Sequence, residues 1–463
     1  MINKAKVEQL RGSLKGRITS PEDANYDEAR KVWNGMIDKH PEFIVQCADE
    51  NDVVNAVNFV RNNNIKVAVR GGGHNVAGFG TCDDGVVIDL SPMKKIKIDT
   101  ASQTARAQAG LTWGEFDKST QANGLATTGG LVSSTGIAGF TLGGGFGWLV
   151  RKLGLTVDNL LSVEIVLADG KSVTAGPKEN PDLFWGIRGG GGNFGVVTSF
   201  EYQLHPVGPE VFGGAVFHPF SEADKLLKFY REWTPTLPDE LSTMTGIITA
   251  PPEDFVPKEL VGTQMIIVGL CYAGSKEDGE KAVKPLRDFN SAPIDLLGPI
   301  PYLGLQSMFD MTAPRGIHSY WRTQQLNNLS DETISVIIKE AAKMKSLSPF
   351  TALHIHHWEG AVKQTNSDEM AFAHRDSKYV MNIVGNWSAG EDEDKHINWV
   401  KEFSQAVQPF ATGNLYLNFM TDSGEDRVKA AFGAEKYSRL VQLKNKYDPK
   451  NLFRINQNIK PTV

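Results

Sequence analysis

Three groups of residues in this chain could do chemistry. The stretch Ala352-Leu-His-Ile-His-His-Trp-Glu359 holds three imidazoles within four residues. Imidazole is the usual side chain for moving a proton near neutral pH. Alternation along a strand would put His354, His356 and Trp358 on one face and Ile355, His357 and Glu359 on the other. Surface histidines on a sheet fit the same pattern equally, since nothing local says which face meets a ligand. A metal site fits less well, because no carboxylate or cysteine cluster completes it at a readable spacing. The second group is Tyr416 and Asn418 in Tyr-Leu-Asn-Phe, two residues apart and so on one face of a strand. A phenol with a pKa near ~10 needs a nearby cation to act as a base, and a plain core tyrosine is the alternative. The third is His74, which ends Arg70-Gly-Gly-Gly-His. Gly71 to Gly73 let backbone N–H groups approach a bulky anion, as in a phosphate cradle. On those residues alone, a simple glycine turn with a histidine at its edge explains as much.

The elements around these groups decide more. Val67 to Val69 suit a buried strand leading into the glycine turn, and Val53, Val54, Val57 and Val60 recur at helical spacing behind Asp49 and Asp52, which cap and charge the helix start. Gly85–Leu90 and Ile96–Ile98 read as strands and Thr112–Ala122 as a short helix. The segment Thr127–Gly147 interleaves glycines with Ser and Thr, which argues against a stable helix or central strand there, since each interior glycine costs ~0.5–1 kcal/mol. Its Leu131, Val132, Ile137, Phe140, Leu142 and Phe146 are too apolar for a flexible linker, so a ligand is expected to order it. Leu160–Val173 has the run, turn and run of a hairpin centred on Asp169-Gly170. Gly190–Gly195 satisfies GxGxxG, but Val196–Tyr202 after it alternates like a strand where a dinucleotide fingerprint must open a helix. That excludes a Rossmann site. After Pro206–Pro209 the glycine clusters stop and a second domain begins. It has helical patterns at Glu222–Trp233 and Asp331–Lys345 and strands at Met265–Tyr272, Ala352–Trp358 and Val380–Val384, as expected of helices covering one face of a sheet.

Composition narrows the function. The 463 residues suggest about two or three domains, and a net charge of −6 without basic runs argues against a nucleic-acid partner or a polyanionic substrate. Cys47, Cys82 and Cys271 are too far apart for a disulfide framework. No apolar run reaches ~18 residues and the first residues lack an apolar signal region, so no membrane partner and a cytoplasmic location are expected.

Together the motifs resemble the berberine-bridge-enzyme-like flavin oxidases of the vanillyl-alcohol-oxidase superfamily, with their PCMH-type FAD-binding domain. The matching stretches are Arg70–Asn75, Gly136–Trp148, Gly154–Leu161, Asp182–Gly195, Tyr416–Phe419 and Tyr447–Ile459, in the family's order over nearly the whole chain. The resemblance implies an α+β fold: an FAD-binding domain made of residues 1–205 and a C-terminal return, 412–463, with a substrate domain of antiparallel sheet and covering helices at 206–411. It implies FAD bonded covalently through the His74 imidazole. It also implies cofactor contacts from Arg70, Gly71, Gly72, Gly73, Asn75, Gly78, Thr128, Gly129, Gly130, Thr135, Gly136, Gly139, Gly144, Gly147, Gly195, Val197, Asn418 and Asn456. Members with a second, cysteinyl link carry Cys where this chain has Val132, so a single link is expected. At Thr135, the position that influences access of dioxygen in the family, the choice between oxidase and dehydrogenase stays open.

The resemblance further implies a catalytic role for Tyr416, with His354 or His356 supplied by the inserted domain as the base. The expected reaction moves a hydride from an alcohol or amine carbon of a small molecule to the flavin, and dioxygen reoxidises it to give H2O2. A flavin dehydrogenase and a flavin-binding protein without turnover are the alternatives. Trp321, Trp358, Phe372 and Trp387 hint at an aromatic or planar substrate, although such residues also build cores.

Overall fold

The computed structural model describes residues 4–421 and 424–463; residues 1–3, part of the N-terminal stretch read above, and 422–423 lie outside it. The helix Glu50–Asn62 forms where the valines recur: the Asp49 side chain accepts from the Asp52 N–H, and Val53, Ala56, Val57 and Val60 are buried. It lies against a small sheet in the spatial order Arg17–Thr19, Phe43–Gln46, Val86–Asp89, Val67–Arg70. The last two strands pair in parallel, with Arg70 opposite Asp89. A second, antiparallel sheet runs Ile96–Asp99, Thr104–Gln108, Gly195–Gln203, Leu160–Leu167, Ser172–Ala175. Gly195 therefore opens a strand of this sheet and no helix follows the GxGxxG match. The helix Trp113–Gln121 begins with a capping box between Thr112 and Glu115.

One hydrophobic core takes in residues of both these sheets together with Leu415, Leu417, Leu440, Phe453 and Ile459 from the end of the chain. Asn193 staples that return. Its amide donates to the Gln457 carbonyl at 3.2 Å and accepts from the Ile459 N–H at 3.0 Å. Beside it the fully buried Lys444 pairs with Asp448 at 2.7 Å and donates to the carbonyls of Asn193 and Phe453. A buried ion pair of this kind is tolerable because every ammonium proton is used.

The third sheet runs Glu210–Pro219, Gln264–Tyr272, Leu241–Thr249, Ala352–His357, Tyr379–Trp387, His318–Leu326, with two short strands at its outer edge. Its pairings are antiparallel. The helices Ala223–Trp233, Lys276–Phe289, Asp331–Ala341 and Glu393–Val407 bury one face through a second core that includes Leu226, Val283, Ile334 and Phe403. The opposite face is left for the site. No described helix is long and apolar enough to cross a membrane.

Asp117 marks where this sheet's connections dock on the first core. Gln306 donates from Nε2 to Asp117 Oδ2 at 2.8 Å and to the Gly130 carbonyl at 3.3 Å. Asp117 Oδ1 and Gln306 Oε1 are both buried acceptors without a donor. Burial pushes the Asp117 pKa up to about 7, so the carboxyl keeps its proton below neutral pH. The folded chain therefore keeps a proton that the unfolded chain, with Asp near ~3.9, has lost. This contribution to stability falls as pH rises from about 4 to about 7, by at most ~4 kcal/mol for three pKa units. We predict that Asp117→Asn, which preserves the pairing with Gln306 without the titration, gains stability relative to wild type between pH 5 and pH 8 in urea unfolding. An equal difference at both pH values would remove Asp117 as the source.

Candidate active site

The site begins where two glycine segments cross. The strand Val67–Arg70 is pinned at its end by the buried Arg70–Asp89 pair, Nη2 to Oδ2 2.8 Å, so the Arg70 guanidinium braces the loop and is already partnered. Immediately beyond, a Cβ on Gly72 would lie 2.5 Å from the Gly136 nitrogen, and one on Gly136 would lie 2.4 Å from the Gly72 nitrogen. The two backbones touch, and any side chain at either position would push them apart. Among the described residues no backbone group accepts from the N–H groups of Gly71 to Asn75. Consecutive free donors of this kind make an anion-binding concavity.

His74 stands at the far side of this loop. Its ring stacks on Trp33 with centroids 4.5 Å apart at 18°, and Nε2 lies 3.4 Å from Ser134 Oγ. Burial lowers the His74 pKa to about 4, so the imidazole is neutral at physiological pH. Trp33 also fixes the loop backbone, donating from its N–H to the Gly73 carbonyl at 2.9 Å. Its own ring N–H reaches Ala313. No periodicity or motif marks Trp33, whose role comes from contacts distant in the chain.

A single cavity of about 950 Å³ runs from this crossing to the open face of the third sheet. That is near the upper end of ligand sites, ~300–1,000 Å³. Of the residues expected at a cofactor, Arg70 to Asn75, Gly130, Thr135, Gly136, Gly139, Gly195, Val197, Asn418 and Asn456 line it. Gly78, Thr128, Gly129, Gly144 and Gly147 do not. Thr128 donates to the Gly154 carbonyl at 2.7 Å, and a Cβ on Gly147 would sit 1.9 Å from the Gly129 oxygen. Their smallness lets the wall close on itself. The glycine-rich segment also contains a helix, Ile137–Leu142, contrary to the expectation that none forms there. Burial of Ile137, Ala138 and Leu142 outweighs the cost of the single interior glycine, Gly139.

On the opposite wall the alternation of Ala352–His357 sends His354 and His356 into the cavity. His357 faces the other way, 2.8 Å from Glu359 and 3.3 Å from Arg151. Burial holds the His354 pKa down at about 4 and that of His356 well below its ordinary value. Trp358, expected on their face, lies past the strand end in a core with Phe146 and Tyr416. Trp387 is in the core under the helices and Phe372 packs with Trp358, leaving Trp321 as the one member of that aromatic group on the cavity wall.

Tyr416 and Asn418 do meet, though not on a strand. Leu417–Phe419 is a 3₁₀ turn. The Tyr416 hydroxyl accepts from the Gly145 N–H at 3.1 Å and from Asn418 Nδ2 at 3.0 Å. Burial raises the Tyr416 pKa well above 10, so the phenol keeps its proton, and both partners leave that proton free to be donated. Across the chamber floor Asn456 donates to the Gly192 carbonyl at 3.0 Å, while its Oδ1 is buried without a partner.

A cradle of unused N–H groups opening on a sheet that carries neutral imidazoles is the arrangement of a cofactor-dependent enzyme. Comparison with known proteins agrees. The family model described as "FAD binding domain" matches residues 41–176 and that described as "Berberine and berberine like" matches residues 415–460. An FAD-linked oxidoreductase of Dictyostelium discoideum is 33% identical over 461 residues, covering 98% of this chain and 97% of its own. The crystal structure of 6-hydroxy-D-nicotine oxidase from Arthrobacter nicotinovorans superposes with a TM-score of 0.87 at 27% identity, over 97% of this chain and 98% of that one. A BBE-like protein of Physcomitrella patens gives 0.85 at 25% identity, over 96% and 97%. The chain belongs to the berberine-bridge-enzyme-like FAD-linked oxidoreductases.

The glycine crossing makes a direct test. Gly136→Val places its Cβ against the Gly72 backbone, and we expect at least a tenfold lower flavin content per protein after purification, read from visible against ultraviolet absorbance. Full flavin loading of the variant would show that the two backbones need not touch.

Proposed function

We propose that this FAD-dependent oxidoreductase is an oxidase that takes a hydride from an alcohol or amine carbon of a small organic substrate, with dioxygen accepting the electrons to give H2O2. The observation that carries the proposal is the continuity of one chamber from the Gly71–Asn75 donors and His74 to His354, His356 and Tyr416. The residues fit FAD: free N–H groups for a pyrophosphate, the open Asn456 acceptor and a cradle that a Cβ would fill. In this reading residues 1–205 and 412–463 hold the cofactor, and 206–411 present the substrate.

When bound, FAD supplies the two-electron acceptor that no side chain can provide. His74 carries it covalently, its neutral imidazole being the nucleophilic form. Val132, on the cavity wall, offers no second link. The proton acceptor is an imidazole. The assignment rests on position: His354 and His356 line the cavity in the neutral form, whereas the Tyr416 phenol holds its proton, and burial opposes the charged form of all three. Tyr416 then donates its unused hydroxyl proton as a hydrogen bond that orients the reacting group. Thr135 lines the cavity beside Gly136, and this position leaves the choice between oxidase and dehydrogenase to be made by experiment. The three cysteines are buried thiols, as suits the reducing cytoplasm.

Three measurements test this. Acid denaturation leaves flavin colour on the wild-type polypeptide and releases it from His74→Ala; release from both removes the covalent link. Tyr416→Phe slows flavin reduction in stopped flow by about 10- to 100-fold, the value of a hydrogen bond made in the transition state, with little change in substrate affinity. Oxygen uptake matching product formation distinguishes oxidase from dehydrogenase.

A further inference from the structure

The sheet end of the chamber has a chemistry of its own. Among the described residues that line the cavity, only Arg70 and Glu253 carry formal charge. Arg70 is held by Asp89, and Glu253 lies exposed near the mouth. The wall between is built of Ala215, Phe217, Met244, Ile248, Met308 and Phe309. No charged group here could neutralise a carboxylate or phosphate on a substrate, and the polar side chains are too few to replace the water around a sugar's many hydroxyls.

Among the polar residues on that wall, which include Thr249, Thr312, His354 and His356, one stands apart. Asn382 is 3% exposed, and its buried Oδ1 has no hydrogen-bond partner. It sits opposite His354 in the strand register, and His354 and His356 have ring centroids 6.0 Å apart. The neighbouring Asn386, by contrast, is satisfied by Ser319 and Trp321. A carboxamide left unpaired inside an apolar chamber costs stability unless a ligand uses it.

The mouth is equally informative. The exposed large hydrophobic residues Phe255 (43%), Val261 (39%), Leu296 (40%), Met311 (76%) and Phe350 (37%) all line this same cavity, though they come from four separate loops. Only Leu303 and Val463 of that exposed class lie elsewhere among the described residues. An apolar ring gathered at a ligand mouth marks a binding surface. Glu253, its one charge, does not suit an anionic membrane surface.

We propose that the substrate is an uncharged, largely apolar molecule with a single hydroxyl or unprotonated amino group, which Asn382 binds beside His354 and His356 while the apolar body extends to Phe255, Val261, Leu296, Met311 and Phe350. This rests on the reaction proposed above only in taking the bound polar group as the reacting one.

The test is calorimetric titration of the FAD-loaded enzyme with 4-alkylbenzyl alcohols of increasing chain length, with 4-carboxybenzyl alcohol and xylobiose as contrasts. Each added methylene tightens Kd about three- to fourfold until the chain clears the rim. The carboxylate compound binds at least tenfold more weakly than the 4-methyl one, and xylobiose weakest. Asn382→Leu weakens the alcohols roughly tenfold but leaves the matching alkylbenzenes, which lack the hydroxyl, unchanged. If that variant loses both ligands, the double variant Met311→Ser/Phe350→Ser decides, since it must flatten the chain-length series at its long end alone. Affinity independent of chain length, or tighter binding of xylobiose, overturns the substrate class. Flavin bleaching is followed separately: chain-dependent binding without bleaching defeats the reaction and leaves the substrate class, and bleaching by sugars without chain dependence does the reverse.

Discussion

The contact on which the rest depends is the one between two backbones, Gly72 against Gly136. Neither position has room for a single carbon atom beyond the main chain. Because the segments meet this closely, the N–H groups of Gly71 to Asn75 stay unused by the protein and converge on the cavity. His74 is thereby delivered to the edge of the chamber, against Trp33. The Arg70–Asp89 pair fixes the strand before the crossing, and Asp117 with Gln306 backs the second glycine segment from behind. Backbone contact of this kind is rigid in a way that side-chain packing is not, which suits a cofactor that must be held at one distance from a substrate.

The third sheet solves a different problem. Its helix-covered face supplies stability through an ordinary apolar core, which frees the other face to carry imidazoles and a lone carboxamide. The two faces are kept distinct by strand alternation, and His357 shows how strictly: one residue from His356, it belongs to Arg151 and Glu359 on the far side. Desolvation keeps the inward imidazoles uncharged, so the sheet end of the chamber carries no unpaired buried cation.

Much of this was legible in the chain itself. The valine spacing and Asp49 cap locate the helix Glu50–Asn62, and the alternation after Gly195 correctly rejects a Rossmann turn. Other inferences failed for physical reasons. The glycine count disfavours a helix at Ile137–Leu142, yet burial of its apolar side chains exceeds the local cost. Tyr416-Leu-Asn-Phe alternates like a strand but turns as a 3₁₀ helix, because the Tyr416 hydroxyl is drawn to Gly145, 271 residues earlier. Aromatic type alone did not separate wall from core among Trp321, Trp358, Phe372 and Trp387.

By itself, then, the sequence determined the family through the order of its motifs, the segments that must stay glycine-rich, and the periodicities that make helices and strands. Those are local properties, encoded within a few residues of where they act. Which imidazoles face the chamber, that Trp33 stacks on His74, that Asn382 is left unpaired and that five exposed hydrophobic residues gather at one mouth were decided only by the tertiary structure. Each of these depends on contacts or vacancies between segments far apart in the chain, and no local pattern reports whether a distant neighbour will arrive.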